Sequence, residues 1–126
     1  MDIKRLYIGF KNRINYHRFI LTEMALINSV QPSDKCRVFY LGITPHSNLG
    51  DMAQHYCICK WIEENYFDYE LLKFEAKTVV DSQAGFIKCL KAAYTGKDII
   101  VFQSGYTTQD LGGQHELMHR LVIDAI

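Results

Sequence analysis

Four short apolar runs alternate with segments of helical periodicity, and this alternation constrains the fold more than any other feature of the sequence. Each run is six to eight residues long and rich in β-branched or aromatic residues, which is typical of β-strands. The four runs are Arg5–Phe10, Cys36–Ile43, Tyr69–Ala76 and Asp98–Gln103. The other segments repeat apolar residues every three or four positions, as amphipathic helices do, over residues 16–30, 51–66, 81–96 and 115–126.

The order β-α-β-α-β-α-β-α predicts an α/β fold. We expect a single domain over residues 1–126, three-layered and Rossmann-like, with a mainly parallel four-stranded sheet. Ligands of such sheets bind beyond the carboxyl ends of the strands. The segments predicted to form that edge are residues 10–15, 42–48, 77–83 and 103–110.

The balance of charges indicates which partners to expect, and the cysteine content indicates the cellular compartment. The chain has 14 Lys and Arg against 14 Asp and Glu, and this zero net charge predicts neither a nucleic-acid nor a membrane partner. A local basic patch stays open as an alternative, because the first eighteen residues contain Lys4, Arg5, Lys11, Arg13 and Arg18. The four cysteines form no C-x-x-C motif, and no segment resembles a signal peptide or a membrane span, so we expect reduced thiols in a cytoplasmic protein. Eight tyrosines and seven phenylalanines would suit a homo-oligomer.

The stretch HELMH, residues 115–119, matches the H-E-x-x-H pattern of zinc proteases. In that pattern two histidines one helical turn apart bind zinc, and the glutamate acts as general base. A third ligand is also needed, and Asp124 is the only candidate among the seven residues that follow. The pattern therefore favours an ordinary C-terminal helix in which Glu116 pairs with Arg120, and no metal is assigned to it.

Most of the chain, about Arg5–Val122, resembles the nucleotide-sugar-binding half of family-2-type glycosyltransferases of the GT-A fold. The similarity lies in LYIGFKNRINY (residues 6–16), LTEMALINSVQPSDKCRVFYLG (residues 21–42) and DSQAGFIKCLKAAYTGKDIIVFQSG (residues 81–105). The resemblance implies binding of a nucleotide sugar and transfer of its glycosyl group. The family holds Mg²⁺ or Mn²⁺ with a D-x-D motif, whereas this chain has Ser104-Gly105-Tyr106 at that position. It thus resembles a reduced domain, either inactive or using another acid such as Asp110.

A second resemblance covers DIIVFQSGYTTQDLGGQHEL, residues 98–117. This segment is similar to the D-x-G-x-x-x-E segment of nucleoside deoxyribosyltransferases and nucleotide N-glycosidases, with Asp110, Gly112 and Glu116 at the matching positions. Tyr7 corresponds to the tyrosine of that family's first strand. The resemblance implies that Glu116 is a nucleophile that forms a covalent bond to the sugar, and that Asp110 helps to bind the substrate.

Three hypotheses for function follow. The first is a nucleotide or nucleotide-sugar binding domain of the reduced GT-A type, the second a deoxyribosyltransferase or N-glycosidase, and the third a non-enzymatic scaffold. The catalytic candidates are Glu116 and Asp110. The candidate ligand-binding residues, drawn from the predicted sheet edge and the two resemblances, are Tyr7, Gly9, Phe10, Asn12, Arg13, Asp81, Ser104, Gly105, Tyr106 and Gly112. Mg²⁺ or Mn²⁺ is expected only if an acid outside the missing D-x-D binds it.

Overall fold

The computed structural model describes residues 2–44, 49–103 and 113–126, which form a mixed α/β fold. Its elements in chain order are α1 (Ile3–Ile27), β1 (Arg37–Ile43), α2 (Leu49–Asn65), β2 (Glu70–Glu75), α3 (Ala76–Val80), α4 (Phe86–Ala93), β3 (Ile99–Phe102) and α5 (Gln114–Ala125). The three strands form one parallel sheet in the order β2-β1-β3. The chain therefore crosses over the central strand β1 on its way from β2 to β3.

The prediction of a first strand at Arg5–Phe10 is wrong, because these residues belong to α1. The described sheet consequently has three strands rather than four. The carboxylate of Asp2 accepts a hydrogen bond from the backbone N–H of Lys4 at 3.1 Å and caps the helix. Apolar residues recur at helical spacing from Ile3 onward, so the helical pattern of residues 16–30 begins earlier and outweighs the local β-propensity of the run.

The other three predicted strands are confirmed, with each end within one residue of the prediction. The central strand β1 is buried along almost its whole length, as expected for a parallel strand that is covered on both faces. Its register with β2 begins with Arg37 opposite Glu70, and its register with β3 begins with Val38 opposite Ile99.

Helices cover both faces of the sheet, and successive side chains of β1 enter two separate cores. On one face Val38 and Tyr40 pack with Ile62 of α2. On the other face Phe39 and Leu41 belong to a larger cluster that draws on α1, α3, α4 and α5. Its buried members from those helices include Ile27, Val79, Phe86, Leu90, Met118 and Val122.

The helix α1 is 25 residues long, and its contacts with the rest of the fold are concentrated in its C-terminal part. Ile27 is buried, Ile20 packs against the larger core, and the Tyr16 hydroxyl donates to a carboxylate oxygen of Asp81 at 3.2 Å. Every residue from 2 to 18 is exposed. Among the described residues, no helix combines the length and the apolar character required to cross a membrane.

Arg37 anchors the amino-terminal edge of the sheet. It is only 1% exposed, and its guanidinium donates to both carboxylate oxygens of Asp98 at 3.1 and 2.8 Å. It also donates to the carbonyls of Gln31 at 2.6 Å and Ala93 at 2.8 Å. Burial alone raises the pKa of Asp98, but the hydrogen bonds from Arg37 and from the Thr95 backbone outweigh it, so the pKa lies below its ordinary value. This bidentate ion pair joins β1, the end of α4 and the start of β3.

Candidate functional site

A cavity of about 230 Å³ lies between the carboxyl ends of β1 and β3. It is lined by Ile43, Thr44, Asp51, Met52, His55 and Gln103. The strand β1 leads into α2 on one face of the sheet, whereas β3 is followed in the chain by α5 on the opposite face. The cavity therefore lies where the connections diverge to opposite faces, and open α/β sheets bind their ligands at such a point.

A chain of buried and half-buried polar side chains leads into this cavity from the α2 face. The hydroxyl of Tyr40, a buried β1 residue, donates to the side-chain oxygen Oε1 of Gln103. The Nδ1 atom of His55 lies 3.3 Å from the same hydroxyl, and the two rings stack with centroids 5.5 Å apart. On its other side, Nε2 of His55 lies 3.7 Å from Sγ of Cys59, one turn further along α2.

The protonation of Tyr40 and Cys59 determines which atoms in this set of polar side chains donate hydrogen bonds. Burial, followed by the electrostatic interaction with Cys59, raises the pKa of Tyr40 far above its ordinary value, so the phenol keeps its proton and donates a hydrogen bond to Gln103. Burial and then the nearby Glu63 carboxylate raise the pKa of Cys59, with Lys73 opposing, so the thiol is also neutral. The two ring nitrogens of His55 thus contact the Tyr40 hydroxyl on one side and the Cys59 thiol on the other. The result is a fixed orientation for the Gln103 amide at the cavity wall.

The end of β1 carries a β-bulge directly before the cavity-lining residues Ile43 and Thr44. Leu41 pairs with Phe74 and Ile43 with Glu75, so Gly42 is an extra residue between two partners that are consecutive in β2. Its φ of 90° lies in the left-handed region that favours glycine. A Cβ atom at Gly42 would lie 2.8 Å from Cε of Met118, so the bulge also allows α5 to approach the strand closely.

The predicted site residues that the structure describes lie in three different parts of the fold. The exposed α1 residues Tyr7, Gly9, Phe10, Asn12 and Arg13 lie in the N-terminal half of that helix. Phe10, Asn12 and Arg13 were predicted at the sheet edge after a strand at Arg5–Phe10, whereas Tyr7 was matched through the second resemblance. Among the described residues, none of the five follows a strand.

Asp81 does follow β2 and the short α3, but its carboxylate serves the turn there. It accepts hydrogen bonds from the backbone N–H groups of Gln83 at 2.9 Å and Ala84 at 3.1 Å, and from the hydroxyl of Tyr16. Five other candidates lie outside the described residues, namely Ser104, Gly105, Tyr106, Asp110 and Gly112.

Glu116 lies in the first turn of α5 and forms the expected ion pair with Arg120, at 2.7 Å between Oε1 and Nη2. Met118 and Val122 form the buried side of this helix. Burial, followed by the charge of His119, lowers the pKa of His115. Nδ1 of His115 and Nε2 of His119 are buried without a hydrogen-bond partner among the described atoms. Within the described segments, no three His, Cys, Asp or Glu side chains are grouped to hold a metal ion.

Sequence reasoning missed the polar chain at the centre of the site. Tyr40 carried no signal beyond its place in a strand, because an aromatic residue there is usually core. His55 and Cys59 are four residues apart on a predicted helix, so their proximity to each other was readable. That both would meet a strand residue could not be read from spacing. Gln103 fell within a predicted edge segment without being singled out.

Comparison of the chain with models of protein families, with curated proteins and with solved structures finds no match. The geometry of the cavity and its polar chain is therefore the basis for the function proposed below.

Proposed function

We propose that this protein binds the nucleoside part of a nucleotide or nucleotide sugar in the cavity between β1 and β3. The observation that carries the proposal is the buried hydrogen bond from Tyr40 to Gln103 at the point where the sheet's connections diverge. A Rossmann-like fold, in which a sheet is covered by helices on both faces, is the architecture that fits this mode of binding.

The size and lining of the cavity favour a nucleoside over a larger ligand. A volume of about 230 Å³ lies below the roughly 300–1,000 Å³ of typical small-molecule sites, so it suits a base or ribose rather than a whole nucleotide sugar. Ile43 and Met52 offer apolar surface for a flat ring. Thr44, Asp51 and Gln103 bring hydrogen-bonding groups to the same space.

Each polar group has a role that its chemistry dictates. The Tyr40 hydroxyl donates to the oxygen of the Gln103 amide and so holds this cavity-lining side chain in a defined orientation toward a bound base. The Asp51 carboxylate lies in the first turn of α2, where the helix dipole stabilises an anion, and it would accept hydrogen bonds from ribose hydroxyls. Its charge would repel a phosphate, so phosphate groups should leave the cavity on the side away from α2.

Calorimetric titration tests this proposal. We expect binding of nucleosides or nucleotides to wild-type protein, and about 10- to 100-fold weaker binding to Asp51→Ala, because a hydrogen bond to a charged group contributes roughly 1.5–3 kcal/mol. The matched control is Glu64→Ala, which removes an exposed carboxylate from the same helix and should leave the affinity unchanged. Absence of binding to any nucleoside or nucleotide, or equal losses in the two variants, would refute the proposal.

The catalytic versions of the hypothesis need separate assays. Glycosyl transfer predicts that Mn²⁺ or Mg²⁺ strengthens the binding of a UDP or GDP sugar. It also predicts that the sugar is cleaved from the nucleoside diphosphate during the incubation. The N-glycosidase alternative predicts free base from a deoxynucleoside, with loss of this activity in Glu116→Ala. The ion pair between Glu116 and Arg120 weighs against this alternative, because a nucleophilic carboxylate would first have to leave its partner.

A further inference from the structure

The helix α1 carries an apolar stripe along the side that points away from the fold. Its members are spaced three, four or seven residues apart, as residues on one side of a helix are, and all of them are exposed. They are Ile3, Tyr7, Phe10, Ile14, Leu21 and Met24. At about 100° per residue, the stripe lies roughly 120° around the helix from Ile20 and Ile27, which pack on the larger core. At 1.5 Å per residue the stripe is about 32 Å long. Phe10 and Leu21 are 64% and 69% exposed, so this is substantial apolar surface.

Cations border this stripe on both sides. Lys4, Lys11 and Arg18 follow one another at seven-residue intervals along one border, and Arg13 lies beside the other. Residues 2–18 contain five Lys and Arg but only one acid, Asp2, which gives this segment a formal charge of +4. Because the whole chain balances 14 cations against 14 anions, the remainder has nine cations and thirteen anions. The zero net charge that predicted no membrane partner therefore averages two regions of opposite sign.

This charge pattern selects the surface that α1 fits. If two copies paired through the stripe, the flanking cations of one helix would face those of the other in either a parallel or an antiparallel arrangement. An anionic surface has the opposite effect, because it attracts every flanking cation. An amphipathic helix with aromatic and aliphatic residues on one side and Lys and Arg along its borders is also the kind that lies in a membrane interface.

We propose that α1 docks in the plane of an anionic membrane leaflet. The stripe would enter the boundary between headgroups and acyl chains, and Lys4, Lys11 and Arg18 would contact the anionic headgroups. The sheet and its cavity would stay outside the bilayer, since α1 packs on the larger core through another side of the helix. Docking is independent of the proposed nucleoside binding.

Vesicle flotation with purified full-length protein tests the proposal. Vesicles of phosphatidylcholine containing phosphatidylserine should bind the protein, and vesicles of phosphatidylcholine alone should bind it at least tenfold more weakly. A cation near an anionic leaflet strengthens binding by about fivefold, so Lys4→Glu with Lys11→Glu should weaken it by more than tenfold. Phe10→Gln, which keeps helix propensity, should also weaken binding.

Two controls separate docking from general effects of charge or exposure. Lys88→Glu with Lys91→Glu makes the same charge change at two exposed positions of α4, a helix outside the proposed membrane contact. Phe67→Gln removes an aromatic side chain that is 85% exposed outside α1. Both should bind as the wild type does, with circular dichroism confirming that every variant is folded. Equal binding to both kinds of vesicle, no binding to either, or a dimer that dissociates in Phe10→Gln would overturn the proposal.

Discussion

Removal of Asp98 should destabilise the fold severely, because it leaves the Arg37 guanidinium buried without a counter-charge. The guanidinium would keep its hydrogen bonds to the carbonyls of Gln31 and Ala93 but lose the two to Asp98. Removing one partner of a buried ion pair costs about 3–5 kcal/mol, a large share of the roughly 5–15 kcal/mol that stabilises a domain. Urea denaturation of Asp98→Ala should show this loss. Asp98→Asn retains an acceptor and should lose less, roughly 2–3 kcal/mol.

The pH dependence gives this prediction a second measurement. The Asp98 pKa lies below its ordinary value of 3.8, so the ionised carboxylate stabilises the folded state above that pH. This contribution is lost as the pH falls below 3.8 and through the folded-state pKa, and the difference between wild type and Asp98→Asn should shrink over that range. Glu64→Ala is the control, because the Lys60–Glu64 pair is exposed on both sides and should contribute little. A loss of under 1 kcal/mol in Asp98→Ala would refute the reasoning.

Three further substitutions test the bulge, the exposed helix and the polar chain. Gly42→Ala should cost at least about 2 kcal/mol in urea denaturation, because it combines a positive φ with a close contact to Met118 in a packed core. Gly9→Ala should instead raise the free energy of unfolding by about 0.5–1 kcal/mol, since Gly9 lies within α1 and nothing lies within 4 Å of an added Cβ. A decrease in that free energy would contradict the assignment of Gly9 to a helix. Tyr40→Phe should cost about 1–3 kcal/mol, because the Gln103 oxygen loses its buried donor. Burial raises the Tyr40 pKa above 10.0, so its hydroxyl stabilises the folded state below about pH 10 and this contribution is lost at higher pH. If the free energy of unfolding of Tyr40→Phe fell above about pH 10 as steeply as that of the wild type, this reasoning would be wrong.

The sequence was most informative where one pattern covered a whole element. The three strands of the sheet and the helices α2 and α4 follow from apolar periodicity, and the Glu116–Arg120 pair follows from helical spacing alone. The short helix α3 was missed, because most of it lies in the segment 77–83 that was predicted as sheet edge. The run Arg5–Phe10 misled because its composition favours a strand, whereas the capping Asp2 and the continuous spacing up to residue 27 favour a helix. A window of six residues does not separate these two possibilities.

The candidate site was predictable only in outline. The sheet edge was correct as the place to look for a cavity, because parallel strands bring their carboxyl ends together. Which side chains meet there depends on strand order and on the face that each helix covers. Tyr40, His55 and Gln103 come from three separate segments of the chain, and no spacing rule relates them. Their contact arises from tertiary packing of α2 on the sheet.

The Arg37 ion pair has a consequence for how this domain can change over evolutionary time. It fastens β1, α4 and β3 at the amino-terminal edge, while the cavity lies at the opposite end of the same strands. Substitutions of the side chains that line the cavity therefore leave the Arg37 ion pair intact, and this ion pair does not constrain which residues stand at the other end of the strands. At the cavity end, the residues that can vary at least stability cost are therefore the lining side chains outside the core, rather than Tyr40 or Gly42.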